Sequence, residues 1–149
     1  MTSGAWIAVC AVAVALAVGL WRLGTDGRFR GTRAVRRAEA STAAPVDQPA
    51  ADLVAALGEP LGDRATLLQF SSAFCAPCRA TRRTLADVAG LVPGVAHVEV
   101  DAELHLDATR ALGILRTPTT VVLDATGAEV TRATGAPTRD QVLSALTWA

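Results

Sequence analysis

Cys75 and Cys78 stand three apart in the stretch SSAFCAPCRATRR (residues 71–83), with Pro77 between them and Arg79, Arg82 and Arg83 behind. Thiols at that spacing can clip a metal, staple a loop, or make and break a disulfide with each other. The third cysteine, Cys10, lies far away in an apolar run, so the chain has no even framework of the kind that holds small secreted domains. Zinc would need two more ligands, and His97 and His105 are the only histidines. Eighteen residues separate Cys78 from His97 and seven separate the histidines, where zinc fingers use about 12–15 and about 3–5. No metal site is assigned. His97 is expected on the solvent face of a strand and His105 on a helix surface.

The elements that must position the cysteines are legible around them. Thr66–Ser71, TLLQFS, is a short apolar run that predicts a buried strand leading into the motif. From Ala76 to Ala89 the pattern turns helical, with Cys78, Leu85 and Val88 on one face and Gly90 as the stop. Val95–Asp101 alternates, with Val98 and Val100 on one side and His97 and Glu99 on the other. Leu104–Leu112 predicts a helix ended by Gly113, and Thr119–Asp124 a β-branched strand. Ala125–Gly127 turns that strand into a hairpin partner over Ala128–Thr134. Thr138 with Gln141 forms a capping box for a last helix. Ala51–Gly62 reads as a short helix and turns. The order predicts an α/β fold with parallel crossovers first, an antiparallel hairpin last, and helices on both faces of a mixed sheet.

The chain has 149 residues, no net formal charge and 51% hydrophobic residues. The neutral balance argues against nucleic-acid binding as a global property. The apolar excess is concentrated before Arg22, where no charged residue occurs. Ala5–Leu23 is an apolar run with Trp6 and Trp21 near its ends, about the ~20 residues a membrane-spanning helix needs. It is longer than a signal-peptide core and lacks a basic start. Residues 1–23 are therefore expected to be a retained transmembrane anchor, 24–51 an Arg-rich juxtamembrane segment and flexible linker, and 52–149 the folded domain. Arg22, Arg28, Arg30, Arg33, Arg36 and Arg37 follow the run and none precedes it. Positive charge stays on the cytoplasmic side, which predicts a single-pass cell-membrane protein with a cytoplasmic domain, an extracytoplasmic one being the alternative. The same arginines would lie against the headgroups of the lipid bilayer.

From Thr66 to Ala149 the chain resembles thioredoxin. Three anchors carry the resemblance: FCAPCR at 74–79 directly after a strand, GILRTPT at 113–119 with Pro118 just before a strand, and Gly135 between the hairpin and the final helix. It implies a thioredoxin-like mixed sheet with helices on both faces. It also implies that Cys75 is the attacking cysteine, Cys78 the buried resolving one, and Pro118 a cis-proline lying against them. Thr117 would offer its backbone to a substrate, and Phe74, Ala76, Pro77 and Pro118 would form a small apolar surround. Two positions depart from the family. Phe74 stands where a Trp is usual, and Gln69 stands where a buried Asp often aids proton transfer; Gln cannot act as a base. The family's first strand is not found, which suggests a domain trimmed at its N-terminal edge.

The implied chemistry is dithiol exchange. A thiolate is the nucleophile, and the free N–H groups of a helix start favour it; Pro77 suits a first helical turn. Cys75 attacks a substrate disulfide, Cys78 displaces the substrate, and a dithiol or reductase donor restores the pair. The reaction needs no cofactor, and the partners are disulfide-containing proteins. With no His between the cysteines, and a cytoplasmic domain, the direction leans to reduction of protein disulfides. Two other functions compete: an extracytoplasmic exchange protein supporting maturation of exported proteins or cytochromes, and a non-catalytic thioredoxin-like adaptor.

Overall fold

The structure, a computed structural model, describes residues 3–25, 27–31 and 48–149. In chain order the elements are α1 (Ser3–Thr25), β1 (Phe29–Gly31), α2 (Pro49–Ala56), β2 (Ala65–Ser71), α3 (Ala76–Leu91) and β3 (Val95–Asp101). Then come α4 (Leu106–Ala111), β4 (Thr119–Asp124), β5 (Glu129–Thr134), α5 (Arg139–Ala145) and a final 3-10 turn, Leu146–Trp148. Among the described residues the strands form one sheet in the order β1-β5-β4-β2-β3.

β2 lies inside the sheet and all seven of its residues are buried. Its continuous apolar run, rather than an alternating one, follows from cover on both faces. Leu68 and Phe70 pack with Val98, Val100, Val121 and Leu123 against Leu53 and Val54 of α2. Ala65 and Leu67 meet Leu85 and Val88 of α3 and Val142 and Ala145 of α5 on the other side. Each such large apolar side chain contributes about 1.5–3 kcal/mol on burial. Gln69 shares the α3 side with Ala65 and Leu67 by strand alternation, and it is fully buried there.

β2 and β3 run parallel, with α3 as their crossover. β4 then pairs with β2 antiparallel, not parallel as the order of elements suggested. The cause is the length of α4. Six helical residues rise about 9 Å, too little to return alongside a strand of seven residues, about 23 Å long. The chain therefore crosses the end of the sheet and enters β4 from there, with Thr119 opposite Phe70. α3 outruns Gly90 to Leu91, because the block to helix continuation is Pro93, which holds Val92 extended. The capping box of Thr138 and Gln141 forms at the start of α5.

Residues 29–31, expected in the juxtamembrane segment, form an edge strand: Phe29 pairs with Ala133 and Gly31 with Thr131, antiparallel to β5. Gly27 makes the turn into it. Its φ is +76°, its N–H donates to the Thr134 carbonyl at 2.8 Å, and a Cβ there would run into the backbone of Ala136 and Pro137. α2 also begins earlier than expected, at Pro49, a residue suited to a helix start. Arg33, Arg36, Arg37 and the remainder of the expected linker up to residue 47 lie outside the described residues.

α1 is a helix of 23 residues, and its apolar side chains, among them Trp6, Ile7, Val12, Leu16, Leu20 and Trp21, are exposed. Among the described residues no helix is long and apolar enough to cross a membrane. The transmembrane part of the expectation for residues 1–23 is thus not carried by the fold.

One ion pair was not foreseen. The Arg132 guanidinium donates to both carboxylate oxygens of Glu129, at 2.7 and 2.6 Å, and to the Leu112 carbonyl at 2.8 Å. It joins β5 to the end of α4, from which the chain runs to Pro118. The side chain of Glu129 is 4% exposed and that of Arg132 27%. Arg132→Ala is expected to lower the unfolding free energy by about 2 kcal/mol, less than the ~3–5 of a fully buried pair. Arg132→Lys, which keeps charge but not the fork, should recover about half of it. Denaturant melts of the three proteins measure both.

Candidate active site

The end of β2 and the start of α3 make the site. After Ser71 the chain turns, with the Cys75 N–H donating to the Ser72 carbonyl at 3.3 Å. Cys75 is the N-cap of α3 with extended backbone, and its sulfur accepts the Cys78 N–H at 3.1 Å. A sulfur thus takes the capping role that a Ser or Asp oxygen usually fills. Pro77 lies in the first turn, where its missing N–H leaves no bond unmade. Cys75 and Cys78 are joined by a disulfide, with their Cα atoms 5.2 Å apart. Cys78 is 2% exposed and Cys75 half-buried, so one sulfur can be reached and the other is screened by the helix.

Around this pair, Ala76 and Pro77 are exposed on the first turn and Phe74 is fully exposed beside it. The Thr117–Pro118 bond is cis. That loop is held from two sides: the hydroxyls of Ser72 and Thr117 lie 3.2 Å apart, and the Gly135 N–H donates to the Pro118 carbonyl at 2.8 Å. Pro118 is buried and Thr117 half-buried, while Leu115 on the same loop is 96% exposed. Phe74 and Leu115 are thus apolar side chains left in water on the two loops that the Ser72–Thr117 contact joins. Leu115 was not singled out from sequence; an apolar residue three before the proline, beyond the stop of the helix at Gly113, was the available signal.

A cavity of about 400 Å³ opens beside the pair, where Cys75 and Cys78 line it with Ser71, Arg79, Arg82, Glu99 and Asp101. Beneath it lies Gln69. Its Nε2 donates to the Cys78 carbonyl at 3.0 Å and to Glu99 Oε1 at 3.5 Å, and its Oε1 lies 3.2 Å from His97 Nε2. With the amide nitrogen occupied as donor, Oε1 accepts, so the neutral His97 ring carries its proton on Nε2. Arg82 reaches Glu99 Oε2 from α3 at 3.4 Å.

His97 is therefore not the solvent-facing residue expected. Strand alternation correctly separated His97 and Glu99 from Val98 and Val100, but α3 covers that side. Burial pushes the His97 pKa below its ordinary 6.5, with Glu99 opposing and Arg82 adding to the shift. His105 stands at the N-cap of α4 without a capping bond from its side chain. Among the described residues no group of three or more His, Cys, Asp or Glu side chains is arranged to hold a metal.

The chain matches the thioredoxin family over residues 55–147. No curated protein matches it. Among solved structures it is similar to thioredoxin from Fasciola hepatica, at 28% identity and a TM-score of 0.54 over 66% of this chain and 91% of that one. It is also similar to a chloroplastic thioredoxin z, at 25% identity and a TM-score of 0.53 over 65% and 85%. A mutant thioredoxin from Halobacterium salinarum shares the fold, at 20% identity and a TM-score of 0.54 over 58% and 75%.

The lowered pKa of His97 has a consequence for stability. Between the folded value and 6.5, unfolded chains bind the extra proton. The contribution is complete above about pH 6.5 and is lost as pH falls through the folded value. His97→Gln, which keeps a donor for Gln69, is expected to flatten the fall in urea midpoint between about pH 7.5 and about pH 5. Parallel slopes for variant and native chain would contradict this account of the ring.

Proposed function

This chain belongs to the thioredoxin family, and on that premise we propose that it is a thiol–disulfide oxidoreductase that reduces protein disulfides through Cys75 and Cys78. The observation that carries the proposal is the capping geometry. Cys75 holds the position where helix N–H groups meet a sulfur, Cys78 follows one turn on with its own sulfur buried, and the two are bonded. Such a site favours a thiolate at the accessible cysteine. Attack on a substrate disulfide then gives a mixed disulfide, which Cys78 resolves. Phe74, Ala76, Pro77 and Thr117 are the surface offered to the substrate, with the buried cis-Pro118 shaping the loop that carries Thr117 and Leu115 exposed on the same loop. An adaptor without chemistry has no use for two thiols so arranged.

Reduction rather than oxidation is the proposed direction, from the Ala76-Pro77 pair between the cysteines and a cytoplasmic domain. A dithiol or reductase partner would supply the electrons. Purified protein with a dithiol donor is expected to reduce insulin disulfides. Cys75→Ser should bring the rate to background, and Cys78→Ser should accumulate a mixed disulfide through Cys75 that appears on non-reducing gels. A native chain that leaves insulin oxidised with every donor would favour the adaptor.

The finer proposal is that α1 holds the domain at the cell membrane. A helix with apolar side chains on all sides needs cover that water does not provide. Over its full 23 residues α1 is about 35 Å long, comparable with the ~30 Å hydrocarbon core. Trp6 and Trp21 lie near its two ends, and Arg22 follows. The basic side would stay cytoplasmic. Removing residues 1–23 is expected to move the protein from the carbonate-resistant membrane fraction to the supernatant. A reporter joined after Ala149 that is active only outside the cell would support the extracytoplasmic alternative instead.

A further inference from the structure

In the exchange reaction proposed above, on which this inference rests, Cys78 must lose its proton before it can attack. It is 2% exposed, and burial disfavours a thiolate. A base has to be within the same enclosure. Gln69, the side chain packed directly under Cys78, has no ionisable group. His97 meets Gln69, not the cavity, and its ring proton on Nε2 is engaged there.

Two carboxylates line the cavity with Cys78: Glu99 and Asp101. Asp101 Oδ1 accepts the Glu103 N–H at 2.9 Å and so serves the turn after β3. Glu99 is in register with Gln69 across the parallel β2–β3 pair. One of its oxygens is held by the Gln69 amide, the same group that donates to the Cys78 carbonyl, and the other by Arg82 one turn beyond Cys78 on α3. Its side chain is 29% exposed, so a proton taken there can pass on to water.

We propose that Glu99 is the proton acceptor for Cys78, directly or through one water, with Gln69 and Arg82 as its positioning residues. In the mixed disulfide the Glu99 carboxylate takes the Cys78 proton. The Cys78 thiolate attacks the Cys75 sulfur, the Cys75–Cys78 bond forms, and the bond from Cys75 to the substrate sulfur breaks. The electron pair leaves with the substrate thiolate, which takes a proton from Glu99 or from water. The substrate disulfide gains two electrons and the cysteine pair loses two. The charged and titratable groups that share the cavity with Glu99 are Cys75 at the start of α3, Cys78, Arg79 and Arg82 from α3, and Asp101 from its own strand; His97 also acts on it from that strand, and β2 faces it with the neutral Gln69.

The test uses the full chain in detergent, with Cys10→Ser to leave two thiols, reduced and mixed with an aromatic disulfide that releases a coloured thiolate. The first release reports attack by Cys75 and the second reports resolution by Cys78. Glu99→Gln is expected to leave the first phase unchanged and slow the second about 100-fold near pH 7. The slowed phase should rise about ten-fold per pH unit as hydroxide takes over. Glu99→Asp should recover most of the lost rate and the native pH profile. A second phase in Glu99→Gln that follows the native protein at every pH overturns the proposal. So does equal slowing in Glu99→Gln and Glu99→Asp, which marks a structural role. If the native chain gives no second phase at all, it is the exchange reaction itself that fails.

Discussion

The bond from the Cys78 N–H to the Cys75 sulfur marks the point on which the site depends, because it fixes where a strand ends and a helix begins. β2 is buried along its whole length and cannot shift without moving both cores. α3 is locked to it through Leu85 and Val88. The corner between them is therefore rigid, and the two sulfurs inherit its rigidity. One sulfur is displayed at the free end of the helix and the other is turned inward. That asymmetry between a reachable and a screened sulfur comes from backbone geometry more than from any special side chain.

The same corner explains why the polar groups beneath it matter. Parallel pairing of β2 with β3 sets Gln69 beside Glu99 and brings His97 to the other side of the amide. A fully buried amide is tolerated because each of its polar atoms has a partner. The α3 side of the sheet thus holds a connected polar strip under the disulfide, while the α2 side is closed by apolar side chains.

Much of this was legible from residue order. The run at 66–71, the helical spacing of Cys78, Leu85 and Val88, the turn at Gly127 and the Thr138–Gln141 box each carry a local physical signal, and each formed the expected element. What was not legible required knowledge of neighbours. Alternation put His97 and Glu99 together on one side of β3, but nothing local said that a helix would lie over them. The direction of β4 turned on how short α4 is. β1 has three residues and one apolar side chain, and it is secured by backbone pairing to β5, which leaves no periodic trace. The departure at Gln69 was visible in sequence; the partners that give it meaning came from strand register.

That edge strand alters what joins the domain to the N-terminal helix. If the connection were the Ala- and Pro-rich residues before α2, the disulfide would swing on a long leash. Pairing of Phe29 with Ala133 brings the attachment point forward to within three residues of Thr25. An extended chain of that length reaches no more than about 14 Å. Wherever α1 is held, the redox pair sweeps only a narrow shell around it. A molecule held beside α1 would meet the cysteines at a far higher effective concentration than one free in solution.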